Sequence, residues 1–238
     1  FIVFRENSNN NYIVNMEGPE IPEFISDESN SPQYIFWKEG EYHFTNSAGK
    51  SKKMNSQSNP SLELSGSWKV RFEPANGAKK AEKTFEKLIL WNEHPEKEIK
   101  YFSGTATYIK SFNVTQAQAD SPARLKLEKV YNISRVWLNG RDLGILWTSP
   151  WIVDLTEYLV EGKNELKIEV TNCWANRLIG DAGLPEIERT VSTNVRLVPD
   201  RSEYKRGHQA TSATDPLMPS GLAGQVIIDF GQLQTISF

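Results

Sequence analysis

Apolar residues fall on every second position through much of the last two thirds of the chain. Leu125 and Leu127 do so within ARLKLEKV (Ala123 to Val130), and Leu166, Ile168 and Val170 within NELKIEVTN (Asn164 to Asn172). A period of two places one side-chain row in a core and leaves Lys126, Glu128, Lys167 and Glu169 in water, which is how a half-buried strand reads. The same reading gives strands at SWKVRFE (Ser67 to Glu73), TATYIKSFNV (Thr105 to Val114), SRVWLNG (Ser134 to Gly140), WIVDL (Trp151 to Leu155) and QVIIDFG (Gln225 to Gly231). Turn residues separate them: Asn139-Gly140, then Glu161 to Asn164, then Ser220-Gly221. The predicted fold is all-β, with antiparallel sheets packed face to face as a sandwich from about Leu62 onward.

The first 60 residues read differently. Phe1 to Arg5 and Tyr12 to Met16 are expected to pair across the Asn-rich turn ENSNNN, and Gln33 to Trp37 with Glu41 to Thr45 across Lys38-Glu39-Gly40. Ser47 to Ser61 is polar, punctuated by Gly and Pro and without period, so it is expected to be a linker or exposed loop. The expected division is therefore a small β segment, the tail of a preceding domain plus linker, over residues 1–60, and a sandwich over 61–238. Lys79 to Leu90 fits a helix or an extended segment equally, because Phe85, Leu88 and Ile89 make only a thin face. Leu184 to Pro219 is expected to be a long irregular excursion, with RSEYKRGH (Arg201 to His208) facing solvent in preference to an anionic sugar.

Composition narrows the function classes. With 238 residues, 38% hydrophobic and 24% charged, the chain is large enough for a substantial core. A net charge of -3 with dispersed Lys and Arg gives no footprint for nucleic acid or anionic lipid, and no run approaches the roughly 18 to 20 apolar residues of a membrane span. Neither a nucleic-acid nor a membrane partner is expected. The single Cys173 excludes an internal disulfide, and His43, His94 and His208 stand too far apart for metal-ligand spacing. The chain opens on Phe-Ile-Val-Phe without an initiator Met or leader, and so reads as a mature or excised piece.

Catalytic patterns are weak. No histidine sits in a triad context, and no Gly-x-Ser-x-Gly elbow is present. Asp154, Asp181, Glu186 and Glu188 are the acids available to a paired-carboxylate glycosidase site, but Asp142 and Asp154 read as turn formers. The seven tryptophans are more informative, because sugar-binding sandwiches lay indoles against pyranose faces and ring them with Asn, Asp and Arg. About three quarters of the indoles are expected in the core or a domain contact, since a sandwich interior needs bulk. The run VTNCWANRLIGD (Val170 to Asp181) is different. Its strand abandons alternation for Trp174, Asn176, Arg177 and Asp181, and ordering such side chains costs ~1 to 2 kcal/mol each. These four are the candidate ligand-binding residues. The competing reading is a structural lock, with Arg177 forked onto a carboxylate and Asn172 or Asn176 satisfying loop backbone. No catalytic residue is expected.

The stretches KYFSGTATYIKSF (Lys100 to Phe112), Leu127 to Asp181 and SGLAGQVII (Ser220 to Ile228) carry a family resemblance. Their NG-x-x-LG-x-x-W-x-x-P-W core and N-x-W-x-N-R-L-I-G-D run resemble the C-terminal β-sandwich of glycoside hydrolase family 106 α-L-rhamnosidases. More loosely, they resemble the sugar-binding domain of family 2 glycosidases, a galactose-binding-like jelly roll. The resemblance implies a non-catalytic carbohydrate-associated module of a bacterial, secreted or periplasmic enzyme. Its partners would be a plant or microbial glycan and an N-terminal catalytic (β/α) barrel of the same protein, which takes ~250 residues by itself. It further implies that a structural Ca²⁺ is common in such sandwiches. No calcium-loop motif stands in the sequence, so metal is left unassigned and no cofactor is expected. Two alternatives stay open: a purely structural or interaction module, and a glycosidase fragment active through acids between Asp181 and Asp215.

Overall fold

The computed structural model describes residues 12–25, 32–57, 59–74, 81–192 and 211–238. The strands are β1 (Ile13–Glu17), β2 (Glu23–Ile25), β3 (Gln33–Phe36), β4 (Gly40–Asn46), β5 (Ser51–Ser56), β6 (Leu62–Glu63), β7 (Trp68–Pro74), β8 (Ala81–Phe85), β9 (Gly104–Val114), β10 (Ala123–Tyr131), β11 (Ile133–Leu138), β12 (Arg141–Leu146), β13 (Ile152–Asp154), β14 (Gly162–Thr171), β15 (Gly221–Phe230) and β16 (Gln232–Thr235). Three short helices interrupt them: α1 (Lys97–Lys100), α2 (Gln116–Ala119) and α3 (Ala175–Ala182).

Two antiparallel sheets form the sandwich. One has six strands in the order β12-β11-β14-β9-β7-β8, the other four in the order β13-β10-β15-β6. Leu166, Ile168 and Val170 of β14 face Leu125 and Leu127 of β10 in one continuous core. That alternation is the reason for the sheet, because a one-residue slip would turn the whole apolar row to water. The hairpin at Asn139-Gly140 forms as expected. Asn139 (φ 51°) and Gly140 (φ 80°) both take left-handed backbone, the conformation a tight two-residue turn requires. Asn139 also accepts from the Glu165 amide at 2.9 Å and donates to Asn164 Oδ1 at 2.8 Å, pinning the turn to β14.

Trp91 and Tyr108 bring a buried polar pair into this core. The fully buried indole donates to the Tyr108 hydroxyl at 2.5 Å, and the Leu222 amide donates to the same oxygen at 3.3 Å. Phe72 and Phe102 pack edge-on against the indole. Gly221 (φ 97°) lies directly over it, and a β-carbon there would sit 2.5 Å from Trp91 Nε1. The glycine of SGLAG is thus fixed by close approach as well as by backbone conformation.

The small β part differs from the sequence expectation in its pairing. Gln33–Phe36 and Gly40–Asn46 do not form a hairpin: β3 pairs with β2 and β16, and β4 pairs with β1 and β5. Lys38 and Glu39 instead carry the chain from one three-stranded sheet to the other. Tyr34, Phe36, Tyr42, Phe44 and Ile236 form the core between them. Ser51–Ser56, expected to be loop, is strand β5, because its backbone completes the ladder beside β4 even though only Met54 is apolar. Phe1 to Arg5 lies outside the described residues, and Ile13–Glu17 pairs with β4. In the stretch expected to be helical or extended, the described residues begin at Ala81, and Ala81–Phe85 is the extended β8, pairing with β7. RSEYKRGH also lies outside the described residues.

The chain crosses from the small sheets to the sandwich before β6 and returns at Gly231, where β16 joins β3. The crossing is braced. Buried Asp229 accepts from Ser61 Oγ at 2.8 Å and pairs with Lys126 Nζ at 2.7 Å and Arg124 Nε at 3.2 Å, while Arg124 Nη2 reaches Glu20 at 3.0 Å. Burial alone would raise the Asp229 pKa, but Lys126, Ser61 and Arg124 outweigh it and hold the carboxyl below its ordinary value.

Candidate functional site

Strand β14 stops where its side chains turn to other work. Asn172 accepts from the Gly104 amide at 3.0 Å and donates to the Phe102 carbonyl at 2.8 Å, so it holds the start of β9. The Cys173 amide donates to Asn132 Oδ1 at 3.1 Å. Trp174 then caps α3. The sequence placed this run at a sheet edge followed by loop; the structure makes residues 175 to 182 a two-turn helix. The spacing explains it: Ala175, Asn176 and Ile179 recur at three- and four-residue steps and all face inward.

The four candidate residues do not converge on one point. Asn176 is 2% exposed and pairs with the backbone of Met218 on both sides: its Nδ2 donates to the carbonyl at 2.7 Å and its Oδ1 accepts from the amide at 2.8 Å. Asp181, also 2% exposed, accepts from the Thr190 and Val191 amides at 2.8 Å each and lies 3.0 Å from Arg177 Nε. That last contact is an ion pair rather than a hydrogen bond, since the buried Nε–H is not aligned on the carboxylate. Arg177 Nη2 donates to Thr190 Oγ1 at 2.6 Å. Arg177 and Asp181 therefore stand together, one helical turn apart, and fasten the returning chain. Asn176 fastens the segment before β15. Trp174 alone points outward, with 53% of its surface exposed.

A second exposed indole, Trp147, belongs at the same end. Leu146 pairs with Ser134 and Ile133 with Thr171, so the chain segments bearing Trp147 and Trp174 leave adjacent edges of β11 at one end of the sandwich. Trp147 is 75% exposed. The expectation that about three quarters of the indoles are in the core or a domain contact did not single it out; its place just before Ser149-Pro150 was the available signal for exposure. Of the other indoles, Trp37, Trp68 and Trp91 are buried and Trp137 and Trp151 half-buried. Lys167 lies 3.5 Å from the centre of the Trp137 ring, so that face is already occupied.

The remaining acids have structural partners or none. Asp154 accepts from the Thr156 amide at 2.9 Å and Asp142 from the Gly144 amide at 3.0 Å, both as turn formers. Arg135 and the Gly144 amide hold the Asp142 carboxyl below its ordinary pKa. Glu186 and Glu188 are exposed on a single 3₁₀ turn. Among the described residues no three His, Cys, Asp or Glu side chains cluster as a metal site would need, and no helix is long and apolar enough to cross a membrane.

The model of the glycosyl hydrolases family 2 sugar-binding domain matches residues 63–192. The chain belongs to that family. The match covers more than half the chain and spans β7 through α3, including the Asn139-Gly140 hairpin and the candidate run. Of the two resemblances read from the sequence, the family 2 domain is the one this match carries. A protein of Formosa agariphila described as a β-glucuronidase is 34% identical over 221 residues, 87% of this chain and 19% of that protein. A β-galactosidase of Halalkalibacterium halodurans is 36% identical over 66 residues, 27% of this chain and 6% of that enzyme. The chain thus spans about a fifth or less of the curated relatives it matches. Among solved structures, the rhamnosidase from Novosphingobium sp. PP1Y superposes with a TM-score of 0.55 at 22% identity, over 90% of this chain and 24% of that one. That likeness concerns the fold.

Proposed function

We propose that the chain is a non-catalytic carbohydrate-associated module of a bacterial glycoside hydrolase, and that it touches glycan with the end of the sandwich bearing Trp174. The observation that carries this reading is the outward indole of Trp174 next to Arg177, whose guanidinium is already fixed by Asp181 and Thr190. An exposed ring beside a pre-ordered donor offers the stacking surface and the hydrogen bond that a pyranose takes, at little further entropic cost. Asn176 and Asp181 serve this surface by holding the helix and the returning loop in place. Trp147 extends it.

In the same proposal the parent is a rhamnosidase-like enzyme, secreted or periplasmic, whose catalytic domain lies elsewhere in the same polypeptide. Membership of the sugar-binding family and coverage of 19% of a longer relative support an accessory role. The division near residue 60 is kept, with β16 lent back to the small part.

Calorimetric titration with rhamnose-containing oligosaccharides tests the contact. Binding heat at millimolar sugar, lost in Trp174→Ala, is expected; no heat from an intact fold removes it. No turnover of an aryl rhamnoside is expected from this chain. A second reading, a structural or interaction module, is favoured by the burial of Asn176 and Asp181. It differs in predicting that Arg177→Ala lowers the melting temperature and leaves sugar affinity unchanged.

A further inference from the structure

Beside the helix that carries Arg177 lies a half-open cleft of about 370 Å³, between α1, α3 and the segment at Ala213. A single pyranose ring fits such a space, which is at the small end of ligand pockets. Its wall is built by close approach. Tyr101 packs on α3 at Gly180, where a β-carbon would come within 2.6 Å of the ring. Any larger residue at position 180 would displace Tyr101 from this contact.

The polar groups facing this cleft are unusually free. Among the described residues the Tyr101 hydroxyl, the Lys97 ammonium and the Glu98 carboxylate have no hydrogen-bond or ion-pair partner, although all three line one small space. Arg177 lines it as well, with its Nε and one Nη2 donor tied to Asp181 and Thr190. A phenol can donate or accept, an ammonium only donates and a carboxylate only accepts, so the set matches hydroxyl groups, which do both. The charges cancel in pairs, Lys97 with Glu98 and Arg177 with Asp181. Neither a strongly anionic nor a cationic ligand is favoured. Ile179, Leu184 and Ala213 supply apolar surface beside the aromatic ring. An aromatic wall with mixed donors and acceptors and no net charge is the chemistry of a neutral sugar subsite.

We infer that the cleft between α1 and α3 binds one neutral pyranose unit, with Tyr101 as its wall and Lys97, Glu98 and Arg177 as its hydroxyl partners. This rests on the proposed glycan-associated role and adds a position to it: a glycan crossing the Trp174 surface would place one residue here.

The test is chemical-shift mapping on the isotope-labelled full chain. The probes are the methyl glycosides of D-glucose, D-galactose and L-rhamnose, with D-glucuronate as the charged counterpart. At least one neutral glycoside is expected to shift the amides of Lys97 to Tyr101 and of Gly180 at millimolar concentration. Tyr101→Phe, which keeps the ring and the packing, and Lys97→Ala, at an exposed position, are each expected to weaken binding about 3- to 10-fold, the loss of one net hydrogen bond. Tighter binding of glucuronate than of every neutral glycoside would overturn the proposal, as would unchanged affinity in both variants. Shifts confined to the Trp174 indole would overturn the cleft and leave the surface reading standing. Silence at both places would remove both.

Discussion

The guanidinium of Arg124 lies 4.2 Å from the centre of the Trp37 ring. One residue belongs to the sandwich and the other to the small β part, so this stack, with the Arg124 bonds to Glu20 and Asp229, joins the two. Trp37 is itself fixed from behind, donating to Glu23 at 2.9 Å.

Arg124→Ala removes the stack and leaves Asp229 buried with Lys126 as its one remaining cation among the described residues. Breaking a buried pair of this kind costs about 2 to 4 kcal/mol. In a chain of this size that lowers the melting temperature by about 5 to 12 °C. Arg124→Lys keeps the charge but not the planar fork, and should fall between. A thermal melt of the three proteins checks the order.

Asp229 gives a pH dependence of known sign. Its folded pKa is lowered, so the unfolded chain binds the extra proton and the contribution to stability is full above the unfolded value of about 3.9. It is lost as pH falls through the folded value. The stability gap between the native chain and Asp229→Asn should therefore be wide near neutral pH and shrink steadily below about pH 4. Melting curves across that range decide it; a constant gap would contradict the assignment.

Asn176 and Trp174 should separate cleanly although they are two residues apart. Asn176→Ala strands both backbone groups of Met218 and is expected to cost about 2 to 4 kcal/mol. Trp174→Ala should stay within about 0.5 kcal/mol of the native chain, as exposed substitutions do. Denaturant unfolding measures the first difference, and sugar titration of Trp174→Ala the second role.

Tyr108→Phe deprives the Trp91 indole and the Leu222 amide of their shared acceptor. Two buried donors left open make a loss of about 1 to 3 kcal/mol. Burial also raises the Tyr108 pKa, so an absorbance titration should find this phenol still protonated where solvent-exposed ones ionise, near about pH 10.

How far the fold could be read depended on whether a segment's burial shows in its own residue types. β14 and the Asn139-Gly140 hairpin were legible because one apolar row and one turn dipeptide carry the whole signal. β5 was not, since SKKMNS is polar and is held by backbone bonds that any sequence can make. β3 and β4 are each apolar, but nothing in Lys38-Glu39-Gly40 tells a turn within a sheet from a step between two sheets. In the candidate run, a pairing of Arg177 with some carboxylate was legible, but its partner, Asp181, was not, because the four-residue spacing counts only once the run is helical. Helix α3 was hidden because Asn176 occupies an inward position with an amide rather than a hydrocarbon. Tyr101 and Lys97 sit in or beside a helix of four residues, too short to show a period, and their meeting with α3 depends on Gly180, which reads as a loop residue until its neighbour is known.

The pairing of β16 with β3 has a consequence for the order in which the molecule is made. β3 leaves the ribosome about two hundred residues before its second neighbour does. Until then it holds only β2 on one side, and its other edge waits through the synthesis of the entire sandwich. The sandwich can close first, because its strands from β6 to β15 are contiguous in the chain. The small part is then sealed by β16, so a chain stopped at Gly231 would keep the sandwich and leave β3 with β2 as its one neighbour.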